Sequence, residues 1–232
     1  MQQPGPAVNL DPSMEQARLE AQAVGAASFI LSLRARGIRD TGVLRAMELV
    51  PRGVFAPRRF GDLSRSDVAL PLPCGQTMTA PGTVAAMLVA LGVEPGQRVL
   101  EIGTGSGYVT ALLQRLGAVV VTVERFATLA RAAEEHLKVA SATEGVRMET
   151  GDGLAPRARE RFDRILLNGS VPSMPDMFTP LLGPGGRLVG ALAQDGAPRL
   201  LRLDKGQDGE MREDLGASLR IAPLLPGVAQ TL

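Results

Sequence analysis

Gly103, Gly105 and Gly107 alternate with Thr104 and Ser106 in the stretch VLEIGTGSGYVTALL, residues 99–113. An apolar strand pattern runs into this corner and an apolar helical pattern leaves it. A corner of this kind offers backbone N–H groups and the positive end of a helix dipole to a ligand. Glycine lets the ligand approach, because no Cβ stands in the way. The chemistry that suits it is nucleotide binding at the carboxyl end of a parallel strand. Glu124 ends the next strand pattern, 21 positions after Gly103. An acid there reaches the two hydroxyls of a bound ribose; a solvated strand-end glutamate is the plainer alternative. Asp152 and Gly153 in GDG, residues 151–153, follow a third strand pattern. Asp152 is placed to accept from an exocyclic base amine, and an ordinary Asp-Gly turn is its plainer alternative.

The spacing narrows the ligand. Pyrophosphate sites of nicotinamide and flavin enzymes use G-x-G-x-x-G. Here the glycines run G-x-G-x-G, and Tyr108 stands where the last glycine of that pattern belongs. Glu101 precedes the first glycine by two residues. An acid expected at the mouth of the crevice repels phosphate and attracts a cationic amino group. A nucleoside bearing an ammonium and a sulfonium fits better than a diphosphate, and that description is S-adenosyl-L-methionine.

The usual proton-transfer and nucleophilic side chains are scarce. The only histidine, His136, falls in mid-helix and is expected to be a partly exposed helix residue. The only cysteine, Cys74, has no base partner in its motif and reads as a small buried residue. One Cys and one His exclude both an internal disulfide and a Cys/His zinc site. A reaction that needs no strong base is required. Transfer from a sulfonium to an acceptor already ionised at neutral pH qualifies, because what remains is placing the reacting atoms in line.

The elements that must hold these residues alternate from Pro81 onward. GTVAAMLVAL, GYVTALLQRL and FATLARAAEEHLKVA read as helices, the last with Leu129, Ala133 and Leu137 on one stripe. RVLEI, VVVTVE, VRMET, FDRILLN and GRLVGALA read as strands, and MPDMFTPLL as a short helix. Alternation with continuously apolar strands predicts an α/β fold with a mostly parallel sheet covered on both faces. The stretch from Ala197 to Leu225 reads as a hairpin or sheet edge. Upstream, SMEQ predicts a helix from Ser13 to about Gly37, carrying Leu19, Val24, Ala27, Ile30, Leu31 and Leu33. A shorter helix follows Asp40 and runs towards Val50, and residues 52–79 are mostly loop. The expected division is a loose tail over 1–12, N-terminal helices and a binding loop over 13–80, and a nucleotide-binding core over 81–232, with 13–232 one folded domain.

Composition bounds the partners. The 232 residues carry 25 Lys and Arg against 24 Asp and Glu, a net charge of +1. That balance gives no bulk attraction to nucleic acid or an anionic membrane. The longest largely apolar run, VAAMLVALGV, is about half a membrane span, and the first residues carry no signal-peptide pattern. A cytoplasmic protein is expected.

Taken together, VLEIGTGSGY, VVTVER, GDG, FDRILL and LGPGGRLV resemble the protein-L-isoaspartate (D-aspartate) O-methyltransferase family. VPRGVFAP followed by LPLPCGQTMTAP is similar to that family's own signature, so the resemblance extends from about Leu44 to Val189. It implies a class I S-adenosylmethionine-dependent methyltransferase fold, Rossmann-like and doubly wound, with an N-terminal helical cover. It implies transfer of the methyl group to the free carboxylate of L-isoaspartyl residues in damaged proteins, releasing S-adenosyl-L-homocysteine. The methyl ester then collapses to a succinimide that reopens as aspartate. Carried over by position, Thr79 stands where the family has its active-site serine. Gln76, Thr77 and Met78 form the loop beside the methionine end of the cofactor. Glu101, Gly103, Thr104, Gly105, Ser106, Glu124, Arg125, Asp152 and Gly153 fall at the cofactor, with no metal. Isoaspartyl proteins and peptides are the implied partners, with neither nucleic acid nor membrane.

Three departures stand out. Thr79 adds a methyl group to the serine, NGSVPSMP over residues 168–175 replaces an alanine-rich run, and GALA over 190–193 replaces Pro-Val-Gly. They leave room for a carboxyl methyltransferase with another peptide acceptor, or for a homologue that binds S-adenosylmethionine without turnover. A nicotinamide-dependent reductase is disfavoured by Tyr108 and Glu101.

Overall fold

Apolar runs such as VVVTVE and RVLEI make the inner strands, and glycine follows α3, β3, β5 and β8 directly. The computed structural model describes residues 12–155, 160–194 and 196–229. Helix α1 spans Pro12–Ala35 and α2 spans Thr41–Leu49, with the Asp40 side chain accepting from Val43 N at the start of α2. Short 3-10 turns, Arg52–Val54 and Arg58–Leu63, lead to a small hairpin of β1 (Leu70–Pro71) and β2 (Thr77–Met78). The core alternates from there: α3 (Pro81–Leu91), β3 (Arg98–Ile102), α4 (Tyr108–Arg115), β4 (Val119–Glu124), α5 (Ala127–Val139), β5 (Val146–Thr150) and β6 (Phe162–Val171). The chain ends in β7 (Leu182–Leu192), β8 (Arg199–Lys205) and β9 (Met211–Ser218). The large sheet has the order β5-β4-β3-β6-β7-β8-β9. Its first five strands are parallel, and β8 and β9 add an antiparallel edge.

The two faces of the sheet are covered unequally. Val99, Val120, Leu166 and Val189 pack with residues from all five helices in one apolar cluster. Leu100, Ile102, Val121, Val123, Ile165 and Leu188 form a second cluster that contains no residue of α1–α5. Its cover is Phe178 and Leu181 of a 3-10 helix, Asp176–Leu181, with Met174, Met177 and Leu154 beside them. That segment was expected to be a short helix. Pro180 lies inside it, and a mid-helix proline removes a hydrogen bond and clashes with the preceding turn.

Helix α1 begins one residue before Ser13, at Pro12, so the tail predicted over 1–12 falls, except for Pro12, outside the described residues. The buried face of α1 also differs from the expected stripe. Phe29 and Leu33 are buried and Ile30 is half-buried, while Val24, Ala27 and Leu31 face solvent; the Leu19 side chain is outside the described residues. The spacing Phe29, Ile30 and Leu33 is a helical face turned toward α2 and α3. The stripe Leu129, Ala133 and Leu137 of α5 is buried as expected. No helix among the described residues is long and apolar enough to cross a membrane.

Candidate active site

The glycine corner between β3 and α4 folds around three left-handed residues: Gly103 at φ +93°, Gly105 at +58° and Gly107 at +87°. L side chains rarely adopt these angles, so each position requires glycine. Main-chain bonds set the turn, with Gly103 N donating to Val123 O at 2.9 Å and Gly107 N to Thr104 O at 3.0 Å. A Cβ on Gly105 would meet nothing nearer than Leu72 at 3.8 Å, so this backbone faces open space. A Cβ on Gly107 would lie 3.2–3.4 Å from Ala133 of α5. Gly105 therefore bares the backbone to the cleft, and Gly107 lets α5 approach.

Glu124, at the end of β4, closes the corner from the side. Its Oε2 accepts from Gly105 N at 2.8 Å and its Oε1 from Phe126 N at 3.0 Å. The carboxylate is buried to 4 % exposure, which is affordable only with such partners.

A cleft of about 860 Å³, solvent-facing space included, opens above this corner. Gly103, Thr104, Gly105 and Ser106 line it together with Glu124, Arg125 and Gly153. Gln76, Thr77, Met78 and Thr79 form the opposite wall, carried by β2 and the start of α3. Helices α1 and α2 contribute no lining residue. They pack on α3 and α4 and so hold the wall from behind. The apolar sides are Val84, Ile102, Val109, Val123 and Leu129.

Two of the acids named from the sequence lie elsewhere than expected. Glu101 is not at the mouth of the cleft but completely buried beneath it. Alternation along β3 turns it, with Val99, to the helix-covered face. There its Oε2 accepts from Thr110 Oγ1 at 2.6 Å and Thr122 Oγ1 at 2.8 Å. Thr122 is also 2.6 Å from the Thr104 hydroxyl. Burial raises the Glu101 carboxyl from 4.5 to about 7, against the opposing pull of those threonine bonds. Asp152 also stands outside the lining, with its carboxylate taken by main-chain donors: Leu154 N at 2.8 Å and Gly227 N at 2.6 Å.

The donor Gly227 belongs to a strap not read from the sequence as part of the site. After β9 the chain returns across the strand ends. Ser170 N donates to Ala222 O, and Leu224 N donates to Ser170 O. Ala222, Pro223, Leu224 and Leu225 line the cleft. Beyond them Arg125 Nε donates to Gly227 O at 2.9 Å, and Ala229 N donates to Arg125 O at 3.2 Å. The prolines of IAPLLPG were the available signal, since they end the sheet edge after β9.

Asn168 is a second residue sequence reading left without a role. The β6–β7 pairing slips between Leu166 and Ser170, and such a bulge re-aims the side chains within it. Asn168 lines the cleft and donates to Gly103 O at 2.9 Å, tying β6 to the glycine corner. His136 is a third. It is half-buried, with Nδ1 2.9 Å from Ser106 O. A carbonyl only accepts, so Nδ1 carries the proton and donates. Its ring meets Phe55 edge-on at 5.9 Å, and Phe55 also packs on Tyr108 at 5.6 Å. Cys74 is half-buried at φ +60° in the tip of the β1–β2 hairpin. Among the described residues no cluster of three or more His, Cys, Asp or Glu side chains could hold a metal ion.

Comparison with known proteins agrees with this geometry. The family model for protein-L-isoaspartate(D-aspartate) O-methyltransferase matches residues 26–228. The chain is 45% identical over 206 residues to protein-L-isoaspartate O-methyltransferase 2 of Rhodopseudomonas palustris, covering 88% of this chain and 94% of that protein. It is 46% identical over 210 residues to protein-L-isoaspartate O-methyltransferase of Xanthobacter autotrophicus, with the same coverage. Its fold is similar, at TM-score 0.75 and 21% identity, to a Plasmodium falciparum structure described as a protein-L-isoaspartate O-methyltransferase in complex with S-adenosyl-L-homocysteine. That likeness covers 85% of this chain and 97% of the other. The fold is therefore that of the S-adenosylmethionine-dependent methyltransferases, and the chain belongs to the protein-L-isoaspartate(D-aspartate) O-methyltransferase family.

Proposed function

We propose that the cleft binds S-adenosyl-L-methionine and that the protein methylates the free carboxylate of L-isoaspartyl residues in damaged proteins and peptides. The observation that carries this reading is the Glu124 carboxylate fastened to Gly105 N, facing the Gln76–Thr79 wall across one cleft. The residues present fit the cofactor. Gly105 leaves an open cradle at the backbone, the lining has one acid and one arginine, and no lysine stands ready for a diphosphate. Glu124 takes the ribose hydroxyls in this reading, and Gly103 to Ser106 follow the nucleoside. Gly153 and Leu154 border the base, with Asp152 and Arg125 holding the strap beside it. Gln76, Thr77 and Met78 flank the methionine end. Glu101 acts from below, holding the corner through Thr122 and Thr104 rather than meeting the ligand.

When bound, the cofactor supplies an electrophilic methyl group on a sulfonium sulfur. The chain's own task is then placement. Thr79, half-buried in the wall, orients the acceptor carboxylate through its hydroxyl and removes no proton, since that carboxylate is already ionised. The lining residues include no histidine, cysteine or lysine, as a reaction without proton abstraction permits. The strap and the β1–β2 hairpin supply two walls of the cleft.

Radiolabelled methyl transfer to an isoaspartyl peptide and to its normal-aspartate twin tests the reading. Base-labile label should appear on the iso form alone, with Thr79→Ala reducing it by at least about tenfold. Equal labelling of both peptides would refute the acceptor. No heat of binding with S-adenosylhomocysteine would refute the cofactor.

A further inference from the structure

The Arg52 side chain is an arginine buried to 4 % exposure whose close partners are four main-chain carbonyls. Nη1 donates to Ser64 O at 3.2 Å and to Ser66 O at 3.5 Å. Nη2 donates to Val68 O at 3.0 Å and to Thr79 O at 3.3 Å. The Asp67 carboxylate acts on it only at longer range. Burying a guanidinium is costly, and replacing such a group by an apolar one is often neutral or favourable for stability. Here Nε is also buried without a partner, which adds to that cost. Stability alone is a weak reason for this arrangement.

The positions of the four carbonyls suggest another reason. Val68 precedes β1 and Thr79 follows β2, so a single nitrogen spans the open end of the hairpin that carries the cleft wall. Within the hairpin the pairing is short, Leu70 with Met78 and Pro71 with Thr77, and a two-stranded ribbon of that length is marginal alone. The bond to Thr79 O restrains the Thr79–Ala80 peptide, and the β1–β2 pairing at Thr77 and Met78 restrains the chain before it, so the two together limit where the Thr79 Cα–Cβ bond points. Helix α3 begins two residues later at Pro81, whose ring restricts the residue before it. Arg52 therefore restrains the carbonyl of Thr79, and Pro81 restrains Ala80 beside it.

We propose that Arg52 is a positioning residue for methyl transfer, aiming the Thr79 hydroxyl by clamping the main chain at both ends of the β1–β2 hairpin. This rests on the reading of Thr79 as the group that orients the acceptor carboxylate. The clamp needs a planar fork. Lysine offers a single nitrogen, which cannot reproduce a fork that holds four carbonyls. Misplacement of a reacting group by about 1 Å can lower a rate about a hundredfold.

A double-mutant cycle separates aiming from general support. Arg52→Lys, Thr79→Ala and the double variant are assayed for kcat with an isoaspartyl peptide at saturating S-adenosylmethionine, and for S-adenosylhomocysteine affinity by calorimetry. Arg52→Lys should lower kcat about tenfold or more while changing that affinity by less than about threefold. In the Thr79→Ala background the same substitution should cost less than about threefold. Equal losses in both backgrounds, or an unchanged kcat, would overturn the proposal. A Thr79→Ala variant as active as the wild type would remove the reading of Thr79 and this proposal with it, a different pattern from additive losses. If Arg52→Lys does not fold, Arg52→Gln, whose amide keeps two donors without charge, is read in the same cycle against the same limits.

Discussion

Replacing Glu101 by glutamine should flatten the dependence of stability on pH. The Glu101 carboxyl is completely buried and its pKa rises from 4.5 to about 7. Burial is the largest cause. Hydrogen bonds from Thr110 and Thr122 oppose it, and the nearby Glu124 charge adds to it. The folded pKa lies above the unfolded one, so between these values the folded chain holds the extra proton. The associated stability is full below about pH 4.5 and is lost as pH rises through about 7. At about 1.4 kcal/mol per pH unit, the gap amounts to about 3 kcal/mol. For a chain of this size that corresponds to roughly 6–12 °C in melting temperature. Glutamine mimics the neutral acid, with one acceptor for the threonine hydroxyls and no charge to bury. The two proteins should therefore melt close together at pH 5 and diverge by pH 8.5, with Glu101→Gln the more stable. Other groups titrate in the same interval, so the difference between the two curves is the quantity to read. The chain has no Trp and one Tyr, which makes far-ultraviolet circular dichroism or calorimetry the suitable assay. Parallel curves would show that Glu101 stays ionised throughout, and the argument from burial would fail.

Three further outcomes are expected. Glu124→Ala removes the charged acceptor read as taking the ribose hydroxyls; at about 1.5–3 kcal/mol for a hydrogen bond to a charged group, S-adenosylhomocysteine affinity measured by calorimetry should fall at least tenfold. Gly107→Ala forces a Cβ against the α5 backbone at a residue with φ +87°. It should lower stability by about 1–3 kcal/mol in denaturant unfolding, whereas Gly151→Ala, with nothing within 4 Å of its Cβ, should be close to neutral. Ending the chain after Leu225 removes the bonds from Gly227 to Asp152 and Arg125. S-adenosylhomocysteine should then leave several-fold faster in stopped-flow, and an unchanged rate would show that the strap does not retain it.

What could be read from the sequence was what neighbours in the chain decide. The alternation of β3, α4, β4 and α5 follows from hydrophobic period, and the glycine corner from residues within a few positions of one another. Glu124 ends β4 beside the glycine corner, where its spacing put it, because a strand end and the adjacent turn are local features. Glu101 was misplaced because the run VLEI is apolar on both sides. Only Thr110, nine positions on, and Thr122, 21 positions on, show which face it joins. Asp152 was assigned to a base amine because nothing near GDG announces Gly227, 75 positions away.

The same distinction bears on how the cleft works. Its cofactor-facing floor is built from consecutive residues, Gly103 to Ser106, whose geometry the left-handed glycines impose. Its other walls come from distant segments: the hairpin clamped by Arg52, the bulge at Asn168 and the strap at Ala222–Leu225. Each is fastened by contacts distant in the chain: the hairpin by Arg52 at Val68 O and Thr79 O, β6 by its pairing with β3 and by Asn168 at Gly103 O, and the strap by Ser170, Asp152 and Arg125. The glycine corner is braced on three sides by Val123 O, Glu124 and His136. The molecule thus joins a floor set by neighbouring residues to walls set by contacts distant in the chain.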